Sequence, residues 1–153
     1  MLNALTVARI ESIRSKLARV VAMGARPFGF EDHQLELRPP ADERDLGAFE
    51  ELYGVSLPED YRAFLLGVAS GGAGPGYGLA PFEDAPCYQR SEYAPELLTA
   101  PFPHTEAHLL DEEDLPTEVP DPRGTLVLSH EGCGYLHLLV VSGDARGQVW
   151  IDA

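Results

Sequence analysis

Lysine occurs once, at Lys16, tryptophan once, at Trp150, and cysteine only twice, at Cys87 and Cys133, in a chain of 153 residues. Two distant cysteines outside any CxxC spacing exclude a disulfide framework and a thiolate zinc site, and leave both as reduced thiols. No run of eighteen apolar residues occurs, which excludes a membrane-spanning helix. The N-terminus lacks the basic, apolar and small-residue succession of a secretory signal, so a soluble cytoplasmic protein is expected. Arginine supplies ten of the eleven basic residues, which fits a GC-rich bacterial genome and carries no functional meaning.

Positive charge is scarce as a whole: 11 basic side chains face 25 acidic ones, for a net charge of −14. Residues 1–30 hold Arg9, Arg14, Lys16, Arg19 and Arg26 against Glu11 alone, a local +4 that leaves −18 for the remainder. Such a body repels phosphate backbones, so direct nucleic-acid binding is not expected, whereas a basic protein partner would be steered toward it. Between Pro101 and Pro122 there is no Lys or Arg, while Glu106, Asp111, Glu112, Glu113, Asp114, Glu118 and Asp121 accumulate. This proline-interrupted stretch reads as a surface excursion.

One domain over 1–153 is expected, since this length supports a single core. It divides into an amphipathic helix over 1–23, a connector over 24–40 with one short strand, and a body over 41–153. Ile10, Ile13, Leu17, Val20 and Val21 recur at three- and four-residue steps and share a helical face, which lacks the Trp or Phe of a membrane-surface helix and favours docking on the body. A second helix starts at Asp42, with Asp45 three residues on, and is expected to bury Leu46, Phe49 and Leu52 or Tyr53. Gly54 ends it, Pro58 opens a third, and Tyr61, Phe64, Leu65 and Val68 form the stripe of that helix. The segment Ser70–Gly78 must then turn sharply, Leu79–Phe82 forms a short strand, and Ser91–Ala100 a short helix with Tyr93, Leu97 and Leu98 inward. The runs TLVLSHEG, YLHLLVVSG and GQVWID read as an antiparallel meander. The fold class is α+β, with N-terminal helices packed on one face of a largely antiparallel sheet that ends in the three-stranded meander.

Three ordered pieces, FEELYGVSLPEDYRAFL, GGAGPGYGLAPF and HEGCGYLHLLVVSGDARGQVWID, resemble the SUKH superfamily, the Smi/Knr cell-wall-regulator-like domain, from about Pro40 onward. The resemblance rests on Gly54, Leu57, Pro58, Asp60, Tyr61, Phe64 and Leu65, on Gly71, Gly72 and Gly78, and on Gly132, Cys133, Gly134, Gly143, Gly147 and Trp150. Ala80 between Leu79 and Pro81, and Ser70 where an asparagine is usual, depart from the pattern. The resemblance implies an α+β, non-enzymatic domain without cofactor or metal, typically an immunity protein whose partner is a toxin such as a basic nuclease. The alternative of the same class of fold is a regulatory or scaffold adaptor with a housekeeping partner.

Other chemistry fits less well. His104 and His108 lie four apart beside Asp111 and Glu112, but HTEAH is not HExxH and prolines interrupt the helix it needs, so surface histidines are expected rather than a small metal-dependent hydrolase. His130 and Cys133 lack a third orienting group for nucleophilic catalysis. SGGAGPGYG has neither the lysine of a phosphate loop nor GxGxxG spacing, and reads as a rigid turn that lets a strand pass close to the third helix. Adjacent acids such as Glu50 with Glu51 and Glu59 with Asp60 share one solvated environment. Tyr61, Phe64 and Trp150 are expected in the core, Trp150 directed toward the helices, and Tyr77 between two glycines is expected as an exposed contact. The binding surface is therefore placed on Glu106, Asp111, Glu112, Glu113, Asp114, Glu118 and Tyr77. Oligomeric state is not legible.

Overall fold

The computed structural model describes residues 4–88, 95–106 and 123–152, with side chains from Val7 onward. Helices α1 (Ala4–Ala22), α2 (Phe30–His33), α3 (Glu43–Tyr53) and α4 (Glu59–Gly67) precede a 3-10 turn, Pro95–Leu98, and strands β1 (Thr125–Gly132), β2 (Tyr135–Val140) and β3 (Val149–Asp152). The strands form an antiparallel sheet in the order β1-β2-β3, so the architecture is α+β. Among the described residues no helix is long and apolar enough to cross a membrane.

Capping chemistry sets the α3–α4 unit. Asp42 Oδ1 accepts the Asp45 amide at 2.8 Å, satisfying a first-turn donor and stabilising the helix by about 1 kcal/mol. Gly54 closes α3 in the left-handed conformation, with φ of 63°, and Pro58 stands at the cap of α4 rather than inside its first turn. Between them, Glu50 Oε1 accepts the Leu57 amide at 2.7 Å, and Glu50 lies 3.8 Å from Arg62. Glu50 is thus half-buried and engaged while Glu51 is exposed, so this pair does not share one solvated environment.

The main core joins Leu46 and Phe49 of α3, Leu57, Leu65 of α4, Phe82 and Leu98 to Leu126 of β1 and Leu139 of β2. Tyr61 and Phe64 pack against it. A second, smaller cluster holds Phe102, Val140 and Ala145, with Trp150 against them. Trp150 pairs with Leu138, and Val149 pairs with Leu139. Because side chains alternate, Trp150 turns away from the face that carries Leu139, and so away from α3 and α4. The expected direction of Trp150 is corrected accordingly: Gln148 and Asp152 are two positions away and share its face, and Phe102 covers it at 5.1 Å between ring centroids.

The glycine segment extends the sheet, with Gly78 against His33 of α2 and Gly74 and Leu79 lining one cleft with Phe64 of α4. Single-residue bridges, Leu37 to Gly72, Gly72 to Leu79 and Leu79 to Ser129, continue the sheet beyond β1. The expected short strands in 24–40 and 79–82 are reduced to these contacts. Gly29 and Gly76 make the approach possible: a Cβ on Gly29 would stand 2.0 Å from the Gly76 carbonyl oxygen, and one on Gly76 would stand 2.1 Å from that of His130. Three backbones are thereby stacked where no side chain fits. Ser70 donates its hydroxyl to the Pro39 carbonyl at 2.7 Å and ties the start of the segment to the connector. The expected helix over 91–100 appears as the 3-10 turn with Leu98 fully buried, and Tyr93 lies outside the described residues.

α1 docks on α4. Ile10 fills a notch at Gly67, where an added Cβ would meet Ile10 Cδ1 at 2.4 Å, and Arg9 reaches Asp60 at 3.4 Å. No described side chain of α1 is fully buried.

Candidate protein-binding surface

Of the acidic residues placed on the binding surface, Glu106 is described and exposed. Asp111, Glu112, Glu113, Asp114 and Glu118 lie outside the described residues, as does His108.

The electrostatics of the described body follow from where its arginines go. Arg38 binds Glu83 at 2.7 Å, Arg62 binds Glu43 at 2.6 Å, and Arg26 pairs with Glu31. Arg146, on the surface, donates to the Ser56 carbonyl at 3.0 Å. Arg38, Arg62 and Arg26 each neutralise a carboxylate locally, while Arg44 and Arg146 remain exposed cations. Exposed pairs of this kind add little stability, with a typical contribution of about 0–1 kcal/mol. The net charge of −14, which already counts these cations, sets the sign of the field that a partner meets.

Tyr77 is half-buried rather than free-standing. Its ring stacks on His130 at 4.7 Å and 22°, meets Phe28 edge-on at 5.0 Å, and lies over Gly132. Tyr88 approaches the other partner of this cluster, His130, at 5.7 Å. The outermost aromatic here is Phe28, 63% exposed, which sequence reasoning passed over because it stands in an irregular connector without periodicity. Phe28, Tyr77, His130 and Tyr88 make an aromatic patch joining the connector, the glycine segment and β1.

The β1–β2 turn is formed by Cys133 and Gly134, with φ of 53° and 92°, between the paired residues Gly132 and Tyr135. Two positive φ values in a two-residue loop are those of a tight hairpin turn. Cys133 is exposed at its tip, and the imagined partner His130 is occupied by Tyr77. A different constellation occurs next to it: Ser129 Oγ lies 2.8 Å from His137 Nδ1, and His137 Nε2 lies 3.5 Å from Glu131. These are the residue types of a hydrolytic triad, yet Ser129 is fully buried, so its hydroxyl has no access to a substrate and its role is to tie β1 to β2. Hairpin register alone would not have revealed this pairing: a turn at 133–134 sets 130 opposite 137, and the irregularity between His130 and Gly132 moves Ser129 there instead. His104 packs on Phe102 at 5.4 Å, and no cluster of three potential metal ligands occurs among the described residues.

Two phenols are shifted by their surroundings. Burial raises the Tyr61 pKa strongly, with the Glu83 carboxylate adding to the effect. Burial also raises that of Tyr53, aided by Cys87 and Asp84. Neither group is shifted toward neutral pH, where a catalytic acid or base would operate.

Compared with models of protein families, residues 40–151 match the SMI1 / KNR4 family (SUKH-1). No curated protein and no solved structure matches the chain. The match begins after α1 and α2 and takes in α3, α4, the glycine segment and all three strands.

Proposed function

Since the chain belongs to the SMI1 / KNR4 family (SUKH-1), whose superfamily includes immunity proteins, we propose that it is a non-enzymatic immunity protein that neutralises a toxin by occlusion. The observation that carries this reading, beyond the family, is the net charge of −14. A basic toxin, of which a nuclease is the natural example, meets an attractive field and is captured quickly in the cytoplasm. The contact surface in this reading is Glu106, Asp111, Glu112, Glu113, Asp114 and Glu118, with Tyr77 and its aromatic neighbours as the apolar complement. Charges at such a rim act chiefly on the association rate.

Co-expression with the cognate toxin is expected to restore growth of the host cell. Reversal of Asp111, Glu112, Glu113 and Asp114 to lysine should slow association about tenfold or more in low salt. That difference should close near 1 M salt, where the screening length falls to about 3 Å. A rate unchanged in low salt removes this stretch from the interface, and failure to rescue any toxin encoded beside the gene removes the immunity reading.

A further inference from the structure

α1 covers a groove that it does not fill. Of its apolar stripe, Ile10, Leu17 and Val20 are half-buried, while Ile13 and Val21 stay 40% and 53% exposed. Ile13 and Phe64 line two clefts between this helix and the body. One, of about 660 Å³, reaches Leu128, Leu139 and Val149, and the other, of about 300 Å³, reaches Leu37, Val68 and Leu79. A helix seated at the density of a protein interior leaves no such gaps, so the floor accepts bulkier apolar side chains than α1 supplies. Its attachment is equally slight. Among the described residues no main-chain hydrogen bond joins α1 to the body, and its one ion pair, Arg9 with Asp60, links two exposed side chains. Arg14, Lys16 and Arg19 have no ion pair among the described residues. The charges of the two parts are opposite, +4 over residues 1–30 and −18 over the remainder. With Arg9 lifted away, the mouth of the larger cleft keeps Glu59 and Asp60 against Arg146.

We propose that the floor beneath α1 is a docking groove for a basic amphipathic helix of a partner protein, and that α1 occupies it as a tethered substitute. The partner helix shares the cationic polar face of α1 and carries bulkier apolar groups where α1 has Ile13 and Leu17. An acidic helix would meet like charge at Glu59 and Asp60 and across a body of −18. Joined to the body by the connector 23–29, α1 competes at an effective concentration on the order of millimolar. A free helix therefore binds in proportion to the fraction of chains whose α1 is lifted. Neither residues 106–121 nor Tyr77 take part, so this groove stands or falls separately from the toxin-binding reading.

The probe is a fluorescein-labelled peptide of residues 4–22, ALTVARIESIRSKLARVVA, titrated by anisotropy in low salt against the full chain and its variants. Ile10→Asp in the chain unseats its own helix, and this variant is expected to bind the peptide at least tenfold more tightly than the unaltered chain does. A peptide carrying Ile13→Phe should bind the variant several-fold more tightly again, and a scrambled peptide of the same composition should show no gain. In the Ile10→Asp background, Asp60→Asn should weaken binding several-fold, and Glu51→Gln, on the exposed side of α3, should leave it unchanged. Hydrogen-exchange protection of β2 checks that the body is folded, and Leu17→Asp carries the test if Ile10→Asp is not. Equal affinity for the unaltered and unseated chains in folded protein overturns the proposal. So does a gain shared by the scrambled peptide, or an Ile13→Phe peptide that binds no more tightly. Sedimentation of the unaltered chain at twice 16.6 kDa, lost in Ile10→Asp, assigns the groove to α1 of a second copy and overturns it as well.

Discussion

The carboxylate of Glu50 holds the turn between α3 and α4, accepting the Leu57 amide at 2.7 Å with Arg62 nearby. Removing it leaves a buried amide without an acceptor and Arg62 with one carboxylate fewer. Glu50→Ala should therefore lower stability by about 2 kcal/mol, the range for a hydrogen bond to a charged group, while Glu51→Ala on the exposed side should stay within about 0.5 kcal/mol. Paired denaturant titrations of the two variants check the contrast. His33 acts in a similar way, its Nδ1 accepting the Leu35 amide at 3.0 Å across a turn in which Gln34 and Leu35 both have positive φ. Its Nε2 is buried without a partner, which fixes the proton on that nitrogen in the neutral ring and leaves one unsatisfied donor beneath the glycine segment. None of this was legible from residue type. A glutamate after another glutamate and a histidine in an irregular stretch carry no signal until the chain has folded round them.

Among the elements, α1 is held least firmly. Its anchor is Ile10 in the Gly67 notch and an ion pair between two exposed side chains, and none of its described side chains is fully buried. Local opening then costs much less than global unfolding. Hydrogen exchange should show α1 amides exchanging far ahead of those in α4 and β2. Ile10→Asp should bring α1 close to the rate of an unprotected helix without altering protection in the sheet. Helices α3 and α4 and the meander were legible beforehand because caps and repeating apolar positions are properties of short stretches. The bridges at Leu37, Gly72 and Leu79 were not, because a strand one residue long has no periodicity and is defined only by the backbone opposite it. Trp150 shows the same limit: its strand could be read, but which face met the helices depended on the cover supplied by Phe102, which is remote in sequence.

At the level of the whole molecule, burial of Tyr61 links stability to alkaline pH. Its folded pKa is raised, so folded and unfolded chains bind the same proton below about pH 10 and the stabilisation is fully present there. Above that the unfolded chain ionises first, and stability falls as pH rises, by up to about 1.4 kcal/mol per pH unit for this phenol. Tyr61→Phe should flatten the fall in melting temperature between pH 9.5 and 11 (a range chosen to bracket a reference pKa of about 10), with Tyr53 accounting for part of what is left. The bridge from Leu79 to Ser129 bears on a different matter, the order of assembly. As a ribosome releases the chain, α3 and α4 can pair at once and Leu37, Gly72 and Leu79 can bridge one another, but the outer side of Leu79 has no template until β1 emerges many residues later. The strand edge at Leu79 must wait for the last-made third of the chain, and during synthesis it stays open to chaperones or to a neighbouring nascent chain.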